Sequence, residues 1–103
     1  MQETYSLLKK AYSLKEIAQL RKTSEAVISM QIESIIEYDP KIEIEHLFNL
    51  NELKKINLEI EKGYDDLKDL KSRLDNSVSY PMLRIAVAKY KFSSLSLTPR
   101  YEQ

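Results

Sequence analysis

The side chains best suited to bind a charged ligand lie around a short polar joint, Lys22-Thr23-Ser24, between two stretches of apolar periodicity. Lysine and arginine pair with phosphate oxygens, and the first N–H groups of a helix also attract anions. These residue types therefore predict a surface that holds the backbone of a nucleic acid. The residues that we predict to contribute are Lys15, Arg21, Lys22, Thr23, Ser24, Ser29, Arg84, Lys89 and Lys91.

The segment after this joint has a composition that argues against recognition of bases. It contains no lysine or arginine between Ser24 and Tyr38, and it carries three glutamates, Glu25, Glu33 and Glu37. Bidentate recognition of guanine needs a basic side chain, and a glutamate close to a phosphate is repelled. We therefore predict a weak contact with forked or single-stranded DNA, directed at the backbone and without sequence preference.

The chain offers no catalytic or metal-binding motif. His46 is its only histidine, so no second one stands at the spacing of a metal ligand. Asp65 and Asp66 are typical of a helix start, where carboxylates face the positive end of the helix dipole. Tyrosines such as Tyr5 and Tyr12 fall on apolar stripes, which favours core packing over base stacking. We expect no metal, no cofactor and no enzymatic activity of this chain itself.

The elements that position these residues form a helix-turn-helix from Lys15 to Glu37. Ser13 and Glu16 have the spacing of a capping box, which begins the second helix. Thr23 or Ser24 is expected to cap the third helix, which continues to about Tyr38. A first helix, from Gln2 to Tyr12, precedes this unit. The apolar residues of the third helix recur at spacings of three and four, which predicts one buried face: Ile28, Ile32, Ile35 and Ile36.

The remainder of the chain predicts a helical extension of about three helices and hence an all-α fold. One glycine and three prolines leave few turns for β-hairpins. The alternating segment 41–46 predicts a short strand or, more simply, a connector that buries Ile42 and Ile44. We predict a single domain over residues 1–92 and a loose tail over 93–103. The three helices are expected from Asn51 to Lys62, from Asp65 or Asp66 to Asn76-Ser77, and from Ser79 to about Phe92.

Charge and composition are those of a soluble protein. The 103 residues include 16 basic and 16 acidic side chains, so the net charge is zero, and basic residues exceed acidic ones only after Val78. No segment approaches the roughly 20 apolar residues that span a bilayer. The start lacks the apolar core of a signal peptide, and the absence of cysteine suits a reducing compartment. We expect a cytoplasmic protein that does not contact membranes.

Several short motifs follow one another in a characteristic order between about Thr4 and Ala88. They are Thr4-Tyr5, the segment SLKEIAQLR from Ser13, the segment SEAVI from Ser24, Gln31-Ile32 with Ile35-Ile36, and SYPMLR from Ser79. In this order they resemble the helix-turn-helix domain at the C-terminus of bacterial RecQ-type ATP-dependent DNA helicases. The chain departs from that pattern at Val27, at Gln31 and at Lys22-Thr23, where the family has threonine, histidine and commonly glycine.

The resemblance implies that this chain is an accessory DNA-binding piece of a longer helicase, whose ATP-binding motif it lacks. A second function stays open: a module for protein–protein or intramolecular docking that keeps the helix-turn-helix shape without a basic surface. The resemblance favours the first function, whereas the zero net charge and the acidic middle of the chain favour the second. A stand-alone transcription regulator would need a dimerisation element and a basic recognition helix, and neither is evident.

Overall fold

The computed structural model describes residues 2–74 and 78–97, with side chains up to residue 93. These ranges contain helices and no β-strand, which confirms the predicted all-α class and the extension of the helix-turn-helix by three helices. None of the helices in these ranges has the length and apolar character needed to cross a bilayer. The helices are α1 (Gln2–Lys9), α2 (Leu14–Arg21), α3 (Glu25–Tyr38), a 3₁₀ helix (Glu45–Leu47), α4 (Leu50–Glu61), α5 (Leu67–Arg73) and α6 (Tyr80–Leu97).

The starts of α2 and α3 are determined by serine caps. The Ser13 hydroxyl accepts the Glu16 N–H at 3.1 Å, and the Ser13 N–H donates to the Glu16 carboxylate at 2.8 Å. This reciprocal pair is the predicted capping box. At α3 the sequence left two candidates open, and Ser24 is the cap: its hydroxyl accepts the Val27 N–H at 3.1 Å.

The ends of α1 and α2 share a left-handed residue that is not glycine. Ala11 has a φ of 68°, and Lys22 has a φ of 57°. After each of them, the next N–H donates to a carbonyl five residues back: Tyr12 to Leu7, and Thr23 to Ala18. This is the Schellman arrangement, which closes a helix sharply. The prediction that α1 runs to Tyr12 is therefore wrong, because α1 ends at Lys9 and the left-handed Ala11 reverses the chain before Tyr12.

The core is built around α3, whose predicted apolar face is confirmed. Ile28, Ile32 and Ile36 are fully buried, and Ile35 is nearly so. The most extensive contact of α3 is with α6, and α1 and α2 pack on other parts of its surface. The last helix of the chain, α6, consequently supports the helix-turn-helix by packing along α3. The residues that α6 places in the core are Leu83, Ile85, Ala86 and Ala88.

Segment 41–46 is a connector whose last two residues begin the 3₁₀ helix, so the strand alternative is wrong and the connector interpretation is confirmed. Ile42 and Ile44 are both buried, and the Ile42 N–H donates to the Asp39 carbonyl at 3.0 Å. No neighbouring strand exists in the described part of the chain to complete a ladder with it. The alternating pattern therefore reflects two anchors in the core and not a sheet.

The later helices differ from the predictions mainly at their ends. Asn49, not Asn51, caps α4: its side-chain oxygen accepts the N–H groups of Asn51 and Glu52 at 2.9 and 3.3 Å. Asp66 caps α5, as one of the two predicted candidates. That helix ends at Arg73, before the predicted closing pair Asn76-Ser77, which lies outside the described residues.

The last helix is longer than expected. Ser79 caps it as predicted, because its hydroxyl accepts the Met82 N–H at 3.4 Å. The expected end near Phe92 is wrong, since α6 continues to Leu97 and takes up the first part of the predicted loose tail. Residues 98–103 of that tail lie outside the described residues.

Candidate nucleic-acid interface

Three exposed residues of the predicted site are consecutive at the α2–α3 joint: Lys22, Thr23 and Ser24. Lys15 is also exposed, but it lies near the start of α2, about 10 Å along the helix from this joint. The first N–H groups of α3 have no partner within the helix, apart from the one that Ser24 satisfies. This joint, which we call the turn surface, therefore combines the Lys22 ammonium group with the positive end of α3.

Arg21 does not belong to the turn surface, which corrects the prediction. Its guanidinium donates to the Thr4 hydroxyl and, at 3.3 Å, to the Gln31 side-chain oxygen. Its Nε also lies 3.2 Å from a carboxylate oxygen of Glu3. These contacts direct Arg21 toward α1 and α3, so the side chain joins the three helices instead of facing a ligand.

Thr4 and Gln31 complete this polar junction. Thr4 is fully buried, and its hydroxyl donates to the Gln31 side-chain oxygen at 2.5 Å. The Gln31 side chain thus faces α1 and α2, which excludes the outward orientation that reading adenine would require. Sequence reasoning missed the role of Thr4. The available signal was its position four residues before Leu8, on the buried side of α1.

Ser29 is also wrongly predicted as a contact residue. It is completely buried, and its hydroxyl donates to the Ala26 carbonyl at 2.7 Å, within the same helix. A serine that satisfies its hydroxyl on its own helix can lie on a packed face at little cost. We predicted Ser29 on the exposed side of α3 only because its side chain is polar, and the structure places it on the buried side.

The basic residues of α6 lie away from the turn surface. Arg84 is next to α3, with one guanidinium nitrogen 3.9 Å from the Glu33 carboxylate. The Lys89 ammonium donates to the carbonyls of Pro40 and Ile42, at 2.7 and 2.6 Å. Lys89 therefore holds the connector and is not available to a phosphate, contrary to the prediction.

Lys91 is exposed, but it is only two residues after Lys89, whose contact with the connector lies at the far end of α3. Since α3 has 14 residues, that end is about 20 Å from the turn surface. A single phosphate group cannot join Lys91 to Lys22. The predicted basic residues therefore do not form one continuous patch.

The exposed face of α3 is acidic and apolar, as its composition indicated. Val27 and Met30 are exposed hydrophobic side chains on this face, and Glu37 is exposed near its end. The last turn of α3 has no basic residue to offset its carbonyl dipoles. A phosphate would be repelled along this face except at the N-terminal end.

Negative charge at the end of α3 also acts on α1. The Tyr5 hydroxyl donates to the Asp39 carboxylate at 2.8 Å. This hydrogen bond, followed by desolvation, raises the pKa of Tyr5 above the ordinary value of a phenol. Tyr5 thus stays a neutral donor to Asp39.

The residues that sequence analysis set aside as catalytic candidates have ordinary positions. His46 is exposed in the 3₁₀ helix, and no cluster of potential metal ligands occurs among the described residues. Asp66 accepts the Asp69 N–H at 3.4 Å, which agrees with its predicted role at a helix start. These positions give no support to a metal site in the described part of the chain.

A family model described as a helix-turn-helix domain matches residues 1–87, which include α1 to α5 and the first part of α6. No curated protein and no solved structure matches the chain significantly. The matched region contains the capping box, the turn surface, the polar junction around Arg21 and the buried face of α3.

Proposed function

Because this chain belongs to the helix-turn-helix domain family, we propose that it is an accessory nucleic-acid-binding domain of a RecQ-like, ATP-dependent DNA helicase. Membership in the family is consistent with nucleic-acid binding in general. The helicase context rests on the ordered motifs from Thr4 to Arg84 that resemble the C-terminal domain of those enzymes. In this proposal the module acts in the cytoplasm, and the motor of a longer parent chain hydrolyses ATP.

The turn surface carries the proposal, because it is where exposed positive charge meets a helix N-terminus. Lys22 supplies an ammonium group there, and the Thr23 hydroxyl and the first N–H groups of α3 supply hydrogen-bond donors. Lys15, about 10 Å along α2, supplies a second exposed ammonium group. None of these groups reads the edge of a base. The contact is therefore to the sugar-phosphate backbone and has no sequence preference.

The affinity of this contact is low, because few phosphates are neutralised. With Lys15 and Lys22 as the main cations, about two counterions are released, so the slope of log K against log salt is about −1.4 on single strands and −1.8 on duplex. Such a weak contact is useful in a helicase whose motor domain already binds the DNA. Forked or single-stranded DNA is the proposed partner, together with other segments of the parent helicase.

The experiment that tests this proposal is fluorescence anisotropy of labelled forked and single-stranded DNA at low salt. We expect Lys22→Glu to weaken binding about five- to tenfold, because one attractive contact becomes repulsive. Lys54→Glu changes an exposed lysine on α4 to the same extent and serves as the control. Failure of the unmodified chain to bind at low salt, or an equal loss in both variants, contradicts the proposal.

A second candidate function is docking to a protein segment, either of the parent chain or of another protein. The specific observation is the exposed face of α3, where hydrophobic side chains and glutamates occupy the positions that would face the major groove. The two functions use different parts of the molecule. The turn surface serves the first, and the exposed side of α3 from Val27 to Tyr38 serves the second.

A further inference from the structure

One helix face is hydrophobic and uncovered in the described structure. Val27, Met30 and Tyr38 are 41%, 55% and 84% exposed, and together with Ser34 they form a line along α3. Their spacings of three, four and four keep them on one side of the helix. We call these four residues the α3 stripe. Exposed hydrophobic side chains in such a line are typical of an interaction site.

Negative charge borders the α3 stripe. Glu37 is exposed within it, and Glu33 lies at its edge with 45% of its side chain accessible. Arg84 approaches Glu33 only to 3.9 Å, so that carboxylate is weakly neutralised. Asp39 caps the helix, whose last-turn carbonyls add the negative end of the dipole. The stripe therefore favours a partner with positive charge.

A groove continues from the end of the stripe. Gln2 and Tyr5 of α1 and Ile35 and Tyr38 of α3 line a cavity of about 280 Å³. The hydrogen bond from Tyr5 to Asp39 holds one wall of this cavity in place. Tyr38 belongs to both the stripe and the groove, so the two form a continuous surface. The cavity has room for one large hydrophobic side chain of a partner.

We propose that the α3 stripe and its groove bind a basic amphipathic helix of another protein. This inference rests on the docking function and specifies its partner. A helix fits because its hydrophobic side chains, at spacings of three and four, match a stripe with the same spacing. Lysine or arginine on the flanks of that helix would pair with Glu33, Glu37 and the acidic end of α3.

Charge also decides against other occupants. DNA phosphates would meet the same glutamates without a basic residue of α3 to offset them. A second copy of this chain would place two acidic stripes face to face, which is repulsive. A basic partner helix satisfies both the hydrophobic and the electrostatic character of the surface.

The test uses a labelled synthetic helix of about 14 residues, with leucines at helical spacing and lysines elsewhere, matched to the length of α3. We expect Met30→Ser to weaken its binding about tenfold, because a hydrophobic contact at the centre of the site is lost. Glu33→Gln with Glu37→Gln should weaken it as well, and more at low salt than at high salt. Leu58→Ser on α4 is the matched control, since Leu58 and Met30 are equally exposed at 55%.

Amide chemical-shift mapping with the same peptide locates the contact. Shifts along the exposed face of α3 and beside Tyr5 support the proposal. Absence of binding, equal binding by the Met30→Ser and Leu58→Ser variants, or shifts confined to another face would overturn it. Circular dichroism of each variant checks that the helices are intact, as expected for substitutions at exposed positions.

Titration with forked DNA separates this inference from DNA binding. If DNA shifts the amides of the turn surface and leaves Met30 and Tyr38 unchanged, the two surfaces are independent and the stripe remains open to the helix. If DNA shifts the amide signals of the α3 stripe and competes with the peptide, α3 lies in the major groove of the DNA. The docking inference is then wrong. If Lys22→Glu loses DNA binding and keeps peptide binding, DNA binds at the turn surface and the peptide binds at a separate site.

Discussion

Arg21 shows that a basic side chain next to the turn surface can be structural and need not face a ligand. Its guanidinium contacts Thr4 and Gln31 and pairs with Glu3, so each contact lies within the molecule. Lys22, the next residue, is exposed and makes the turn. Two adjacent basic side chains therefore have different roles: Arg21 joins α1, α2 and α3, while Lys22 is open to a ligand.

We expect Arg21→Met to lower the free energy of unfolding by about 1–3 kcal/mol, because the polar junction loses its charged donor. Lys15→Met, at an exposed position of the same helix, should change it by less than about 0.5 kcal/mol. Urea denaturation followed by circular dichroism measures both. If Arg21→Met is as stable as the unmodified chain but binds DNA less well, Arg21 is a contact residue after all.

At the scale of elements, the turns between the first three helices are the unusual feature. Both α1 and α2 end in a left-handed residue with a Cβ, at Ala11 and Lys22, where glycine is usually preferred. The α4–α5 turn shows the contrast: Gly63 takes the corresponding position with a φ of 107°. The helix-turn-helix thus has a strained backbone conformation at Lys22, which also carries its exposed positive charge.

Lys22→Gly should raise the free energy of unfolding by about 0.5–1 kcal/mol, because glycine takes the left-handed conformation without the steric cost of a Cβ. Lys15→Gly, inside α2, should lower it by about the same amount. Thermal unfolding compares the two variants. The proposed function adds that the more stable Lys22→Gly protein binds DNA less tightly, since its ammonium is gone. A destabilised Lys22→Gly variant would show that the turn is not strained.

At the scale of the whole molecule, α6 determines how the helix-turn-helix is presented. It packs along α3 and, through Lys89, holds the connector that follows that helix. The buried side chains of both helices form one core, with Ile42 and Ile44 of the connector added to it. The face of α3 that turns away from α6 is in consequence the face left open to partners.

We expect Lys89→Met to lower the free energy of unfolding by about 1–3 kcal/mol, since the carbonyls of Pro40 and Ile42 lose their donor. Lys91→Met removes a charge two residues later at an exposed position and should be nearly neutral. Chemical denaturation of the two variants gives the comparison. Equal stability of both would mean that the Lys89 contacts contribute nothing to the fold.

Local signals in the sequence were enough to determine the class of fold and most helix starts. The Ser13–Glu16 capping box, the Asp66 cap and the periodic isoleucines of α3 act over a few residues, so their effect is readable from spacing. The end of α1 before Ala11 was missed because no glycine marks it. The cap of α4 was misplaced because Asn49 and Asn51 are equivalent by residue type, and only the hydrogen bonds distinguish them.

The interface depended on tertiary structure to a much greater extent. Nine residues were predicted from their type, and the structure leaves Lys22, Thr23 and Ser24 together at the joint while Lys15 and Lys91 are exposed elsewhere. Ser29 is buried, Arg84 lies next to Glu33, and the partners of Arg21 and Lys89 are 17 and 49 residues away in the chain. Spacing carries information along one helix, whereas the partner of a long basic side chain is set by which helices pack against it. The sequence by itself therefore determined the helix-turn-helix shape and its acidic exposed face, and only the packing of α1 and α6 on that unit decided which charges remain on the surface.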